Sequence, residues 1–260
     1  MKRGYNDNAA DPVACVRRAL EEDAFALYGQ PIGAVGASMS YPMAEVLVRL
    51  REEERSLLPP GEFFPVLEHY GMMPELDRWV VRNAFARLAA GCRIPRLCIN
   101  LSVQSLADPS FPNFFADELE GAGVAADSVF FDIEEADALA VPQCLARFAA
   151  TVASLGSGLV IESFGRAADP WPVLQVPGVR FVKLNGRLSR RLGSGERLDA
   201  DTATLLQVLK DIGIELIADL VEQAGEIRRL TRVGVRHVQG WGIYAPHPLE
   251  SFGGTAPRVA

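Results

Sequence analysis

Short apolar runs alternate with longer amphipathic stretches along nearly the whole chain, and the two periodicities predict strands and helices in turn. Strands are predicted at Phe25–Gln30, Ala44–Leu50, Arg96–Ser102, Ser128–Glu134, Gly158–Ser163, Arg180–Asn185, Glu215–Leu220 and Arg236–Ile243. Helices are predicted at Val13–Asp23, Pro60–Tyr70, Pro74–Ala90, Phe111–Gly121, Pro142–Leu155, Ala203–Ile212 and Ala224–Val233. Leu159-Val160-Ile161 and Leu216-Ile217-Ala218 are apolar without alternation, as strands covered on both faces are. Single strands separated by helices pair in parallel. Eight of them in 260 residues predict an α/β fold, a (β/α)8 TIM-like barrel rather than an open sheet.

A polar residue stands at or near the end of most of these runs: Glu45, Asn100, Asp132, Glu162, Lys183, Asp219 and Gln239. Taken alone, a polar strand end is commonly a solvated terminus. Seven of them, spaced as one per strand–helix unit with a unit skipped, are expected to converge on the C-terminal mouth of a barrel, where active sites are built. Carboxylate and amide oxygens suit a hard divalent cation such as Mg²⁺ or Mn²⁺, and a lysine among them suits a phosphate or an activated water.

Composition narrows the partners. With 49% hydrophobic and 23% charged residues, the chain can bury a full-sized core. Its net charge of −7 argues against a nucleic-acid polymer held by bulk electrostatics, while leaving room for a local phosphate site. Cys15, Cys92, Cys98 and Cys144 form no CxxC pair and no disulfide or zinc spacing, which fits a reducing, cytoplasmic location. No stretch approaches the ~20 apolar residues of a membrane span.

At several positions the chain resembles a known family. Ala44-Glu45-Val46-Leu47-Val48-Arg49 is similar to a Glu-Ala-Leu motif with its following arginine, flanked by Gln30-Pro31-Ile32 and Leu57-Leu58-Pro59-Pro60-Gly61-Glu62-Phe63. Asn100-Leu101-Ser102, Lys183-Leu184-Asn185 and Val238-Gln239-Gly240-Trp241 follow in order. The chain thus resembles the EAL-domain cyclic di-GMP phosphodiesterases from about Val13 to Pro248, which places an EAL domain at 13–250, a linker or terminal extension at 1–12 and a tail at 251–260. The resemblance implies a barrel whose first strand runs antiparallel to its neighbours. It also implies Glu45, Asn100, Asp132 and Glu162 as metal ligands, Lys183 and Asp219 beside the attacking water, and Gln30, Glu45, Leu47, Arg49, Asp77, Asn100 and Gln239 as contacts for cyclic di-GMP.

The departures from the family pattern carry as much information. Glu-x-Thr-Glu is represented by Asp132-Ile133-Glu134-Glu135, Asp-Asp-Phe-Gly by Glu162-Ser163-Phe164-Gly165, and Glu-Gly-Val-Glu by Asp219-Leu220-Val221-Glu222. The family's Thr-Gly-Tyr-Ser-Ser loop, which helps order the site and the dimer contact, is replaced by Arg166-Ala167-Ala168-Asp169-Pro170-Trp171. Each exchange between aspartate and glutamate moves a carboxylate by about 1.5 Å, one carbon–carbon bond, and Ser163 carries no charge with which to hold a second metal. The pattern resembles the non-catalytic, FimX-type branch, which implies a receptor that binds cyclic di-GMP without a required metal and signals to a protein effector. Two alternatives stay open: a slow phosphodiesterase using Mg²⁺ or Mn²⁺, and an interaction module that binds no nucleotide. A homodimer is compatible with each. Arg49 is expected to fork to a phosphate rather than to form a salt bridge at a barrel end. Asp77 reads as a guanine contact or a helix-surface charge, His69, His237 and His247 as satisfied structural residues, and Trp79, Trp171 and Trp241 as packing residues.

Overall fold

A computed structural model describes residues 12–22, 24–51, 57–58 and 60–253. Its first two long strands are β1 (Phe25–Ala34) and β2 (Ser40–Arg51). Only a short turn containing Gly36 and Ser38 separates them, so β2 must return antiparallel along β1, with Gln30 opposite Glu45 and Ile32 opposite Met43. The remaining strands are the two-residue β3 (Leu57–Leu58), β4 (Leu97–Asn100), β5 (Val129–Glu134), β6 (Gly158–Phe164), β7 (Val179–Leu184), β8 (Glu215–Ala218), β9 (His237–Val238) and β10 (His247–Pro248). From β2 through β4, β5, β6, β7 and β8 to β9 every pairing is parallel, and β9 then pairs antiparallel with β1. This closes an eight-stranded barrel with an antiparallel first strand, as expected from the sequence. β3 adds to β2 and β10 to β1 outside the ring.

Helices α1 (Pro12–Glu21), α2 (Pro60–His69), α3 (Met73–Ala89), α4 (Val103–Ala107), α5 (Phe111–Ala122) and α6 (Glu135–Ala140) cover the first half of the barrel. The second half carries α7 (Pro142–Leu155), α8 (Trp171–Leu174), α9 (Gly186–Ser194), α10 (Ala200–Asp211) and α11 (Ala224–Arg232). Their limits are set by local chemistry. A proline opens α5 and α7, where its missing N–H costs nothing, and Gly123 and Gly156 end them at φ 63° and 92°, a conformation glycine adopts without strain.

The apolar residues divide into two clusters. The larger fills the space between the outer wall of the barrel and its helices. The smaller is the barrel interior: Ile32, Met43, Cys98, Phe130, Val160, Phe181 and Ile217, one from each of seven strands. The eighth strand adds His237, whose ring meets Phe181 edge-on at 5.4 Å. Because strand side chains alternate, the residues two positions along face the same interior. Those residues are Gln30, Glu45, Asn100, Asp132, Glu162, Lys183, Asp219 and Gln239. The polar set is therefore a second interior layer stacked on an apolar plug.

Four expectations are corrected. Glu45 lies in the middle of β2, not near its end, because β2 begins at Ser40. β9 keeps two residues of the predicted Arg236–Ile243, since the chain turns at Gly240 (φ 149°). The folded body runs past residue 250: Phe252 is buried in the outer core and its carbonyl accepts the Arg93 N–H at 2.9 Å. Finally, His237 is not a satisfied core histidine. Its buried Nδ1 makes no hydrogen bond, lies 3.5 Å from Glu215 Oε2, and burial lowers the pKa of the ring.

The plug depends on a glycine. A Cβ at Gly158 would lie 2.3 Å from the Phe130 ring. Gly158→Ala should therefore force that ring out of place and destabilise the fold by about 1–3 kcal/mol, the usual range for overpacking, measured as a lower denaturant midpoint.

Candidate functional site

Lys183, on β7, is the centre of the polar layer. It is 1% exposed, and its ammonium donates to Asp132 Oδ2 at 2.6 Å, Glu45 Oε2 at 2.9 Å and Glu162 Oε1 at 3.2 Å. Glu45 is further held by Gln239 Nε2 at 2.7 Å and Asn100 Nδ2 at 3.0 Å. Gln239 also reaches Gln30 Oε1 at 3.2 Å, and Gln30 Nε2 donates to the Tyr244 carbonyl. Seven of the residues singled out from the sequence thus form one connected network.

The charges respond to each other. Burial pushes Glu45 up, but the Lys183 charge and the bonds from Asn100, Lys183 and Gln239 outweigh it and hold the carboxyl below its ordinary range. Burial raises Asp132 well above its ordinary range and raises Glu162 as well, with the neighbouring acids adding to the effect against the pull of Lys183. Burial alone would lower Lys183, yet the three carboxylates drive it well above its ordinary value, so it remains an ammonium.

Asp219 is placed differently. Its Oδ1 accepts the Leu220 N–H at 2.7 Å, its own N–H donates to Ser189 Oγ, and it makes no hydrogen bond to Lys183. Burial raises its pKa, with the Lys183 charge opposing. Next to it, Leu220 sits at φ 56°, where a bulky side chain is strained, and is about half exposed.

Leu47 and Arg49 follow Glu45 on the same face of β2, one and two steps toward the mouth. The Arg49 guanidinium lies over the Tyr28 ring at 5.8 Å and donates to the Val48 carbonyl. It makes no salt bridge with a described residue, so its charge remains available on that side of the mouth. Tyr28 was not anticipated; its position opposite Leu47 in a hairpin register was the available signal.

Asp77 is not a surface charge. It is buried, and its Oδ2 accepts from Ser102 N, Ser102 Oγ and Ser105 Oγ at 3.0, 2.6 and 2.6 Å, clamping α3 to the start of α4. The tryptophans also differ from expectation. Trp79 packs against Phe25, but Trp171 is 40% and Trp241 73% exposed. Trp241 sits on a fixed turn, because Val221 N–H donates to the Gln239 carbonyl and Gly242 N–H to the Val221 carbonyl. Glycine is required there: a Cβ at Gly240 or Gly242 would fall 2.3 Å or 2.0 Å from the backbone of Val221 or Glu222.

A third feature orders the rim. Glu135, buried at the start of α6, accepts the backbone N–H groups of Gly165, Arg166 and Ala167 at 3.1, 2.9 and 2.9 Å. The loop that replaces the family's Thr-Gly-Tyr-Ser-Ser is thereby tied to the end of β5.

Residues 14–246 match the EAL domain family model. The chain belongs to the EAL domain family. Cyclic di-GMP phosphodiesterase PdeB of Shewanella oneidensis is 29% identical over 251 residues, covering 95% of this chain and 29% of PdeB. Cyclic di-GMP phosphodiesterase PA2567 of Pseudomonas aeruginosa is 28% identical over 212 residues, covering 78% of this chain and 35% of the relative. The chain thus spans about a third of the length of these curated relatives. Among solved structures, the EAL domain of FimX from Pseudomonas aeruginosa bound to c-di-GMP superposes with a TM-score of 0.82 at 28% identity, covering 91% of this chain and 96% of that one.

EAL phosphodiesterases use Mg²⁺ or Mn²⁺, and the donor set here fits one such ion. Glu45, Asp132 and Glu162 each offer an oxygen within 4.8 Å of the other two. Asp132 Oδ1 is buried without a hydrogen-bond partner, and the raised Asp132 and Glu162 reflect more acid than one ammonium neutralises. The second acid of the family's aspartate pair is absent from this EAL domain. Ser163 takes its place at φ 53°, half-buried, with a hydroxyl that makes no hydrogen bond to a described residue.

Glu135 offers a direct test of the rim. Glu135→Ala would leave three backbone donors without their acceptor, at about 1–3 kcal/mol for each group left buried. The expected result is a lower melting temperature together with new proteolytic cleavage at residues 165–170; an unchanged digestion pattern would show that the loop is held by other contacts.

Proposed function

We propose that this EAL domain is a receptor for cyclic di-GMP with little or no phosphodiesterase activity, acting in cytoplasmic signal transduction through a protein effector. The observation that carries this is the asymmetry of the mouth. On one side Gln30, Glu45, Arg49, Asn100 and Gln239 keep the family's residue types and are joined by hydrogen bonds, apart from Arg49, whose guanidinium has no acidic partner among the described residues. A guanidinium in that state forks readily to a phosphate, and Leu47 beside it offers an apolar contact for a base. Gln239 Oε1, buried without a partner, is a further acceptor in this network.

On the other side the acids of the family pattern that hold the metal or place the water are altered at four positions. Asp132 and Asp219 are a methylene shorter, Glu162 is a methylene longer, and Ser163 is neutral. A bound Mg²⁺ or Mn²⁺ would polarise the phosphodiester, held by Glu45, Asn100, Asp132 and Glu162. Lys183 would hold the phosphate oxygen or the attacking water, and Asp219 would orient that water. Displacements of ~1 Å in such groups lower rates by on the order of 10²-fold, and several occur together here. Binding needs no metal on this view, since Arg49, Gln30 and Gln239 would meet the phosphates. The similarity to a FimX EAL domain bound to c-di-GMP supports that nucleotide as the ligand.

A slow phosphodiesterase is the second reading, favoured by the partner-free Asp132 Oδ1 and by the similarity to PdeB. The exposed Trp171 on the altered loop is where a homodimer or an effector would dock.

Calorimetry with cyclic di-GMP in EDTA and then in Mn²⁺, with chromatography for the linear dinucleotide, separates the cases. The receptor predicts saturable binding in EDTA and no product in either buffer; metal-dependent turnover favours the enzyme, and no heat in either buffer leaves an interaction module that takes no nucleotide. Restoring the aspartate pair by Glu162→Asp with Ser163→Asp should leave product formation at least ~10²-fold below that of an intact family enzyme. Robust hydrolysis by that double variant would mean that the shortened Asp132 and Asp219 matter little.

A further inference from the structure

We propose that Lys183 is the resident cation of the carboxylate cluster, and that a divalent ion competes with its ammonium for the same three acids. An ammonium has three donors and no acceptor. All three are used, each by a different carboxylate and each from a different strand: Glu45 on β2, Asp132 on β5 and Glu162 on β6. These are also the three acids whose oxygens lie within 4.8 Å of one another. The three acids that could hold a metal ion are already joined through one ammonium nitrogen.

Two sequence features point the same way. Ser163 stands where the family pattern has an acid, so the immediate cluster holds three carboxylates, one for each N–H of the ammonium. The chain also uses arginine almost throughout, with Lys2, Lys183 and Lys210 its only lysines among 26 basic residues. A guanidinium is a planar fork suited to one carboxylate at a time, whereas a compact ammonium is a point charge that can sit at the apex of a tripod. Lysine at 183 is the basic residue that this geometry accepts.

Competition follows from charge. A dication entering the cluster meets a fixed positive charge that is buried and cannot move into water without vacating the barrel interior. It must take oxygens from the ammonium or make do with the remaining ones, such as Asp132 Oδ1. The acids and the ammonium alone are involved, so the inference stands or falls separately from the nucleotide reading.

Mn²⁺ binding, followed by electron paramagnetic resonance on the full chain, should be at least ~10-fold tighter in Lys183→Met than in the unaltered protein, as removing a like charge of this kind requires. The variant should melt at a lower temperature in EDTA and recover on adding Mn²⁺, gaining more from the ion than the unaltered protein does. Equal Mn²⁺ affinity, or a loss of stability that Mn²⁺ does not restore, overturns the proposal. Should Lys183→Met fail to fold, the unaltered protein supplies the test. With so few lysines, the protected Lys183 Nζ resonance is readily assigned by ¹⁵N nuclear magnetic resonance. It should shift or vanish as Mg²⁺ saturates the site; saturation with that resonance unchanged overturns the proposal.

Discussion

Lys183 sets the terms for the upper half of the barrel interior. Taking an ammonium out of water costs several kcal/mol, and the cost is offset only where carboxylates meet it with good geometry. Barrel closure supplies that geometry, because β2, β5 and β6 each deliver one acid to a common level and β7 delivers the lysine to the same level. The apolar plug of Ile32, Met43, Cys98, Phe130, Val160, Phe181 and Ile217 seals this level from below. Lys183, Asp132 and Glu45 are buried at this level, so the ion pairs act in a medium less screening than solvent. Removing one partner would leave the others charged, buried and unsatisfied.

The departures from the family pattern read differently once this centre is in view. A serine at 163 and shorter acids at 132 and 219 leave the interior network closed, for Asp132 still meets Lys183 at 2.6 Å and Glu162 still reaches it at 3.2 Å. Selection for a cleaved product and selection for a stable binding mouth make different demands on the same ring of positions. This chain keeps Gln30, Glu45, Asn100 and Gln239 all engaged in one hydrogen-bonded network.

Most of the barrel was legible in the amino-acid order because interior strands are apolar on both faces, and their runs at Val129–Glu134 and Gly158–Phe164 need no partner to be recognised. The polar layer was legible for the same reason, as each member breaks an apolar run. Other features were hidden. Nothing in residues 25–51 announces strand direction except the lack of a helix between two runs. The short α4, α6 and α8 have too few turns to display a period. α9 had a readable start at Asn185, whose side chain accepts the Leu188 N–H, and a readable stop at Gly195, but its basic sequence masks the buried Leu188 and Leu192. Asp77 and Trp241 were misjudged because exposure is a tertiary property: a helix residue became buried when Ser102 and Ser105 came to meet it, and a tryptophan became exposed when two glycines tied its turn to a neighbouring loop.

That tied turn bears on how the mouth meets whatever docks there. An exposed aromatic on a loose loop contributes its contact area only after the loop has been ordered, and the ordering opposes association. Trp241 is held backbone to backbone against Val221 and Glu222, so its indole presents a broad apolar face with little backbone entropy left to lose. Trp241 is therefore an exposed aromatic surface on a preorganised turn.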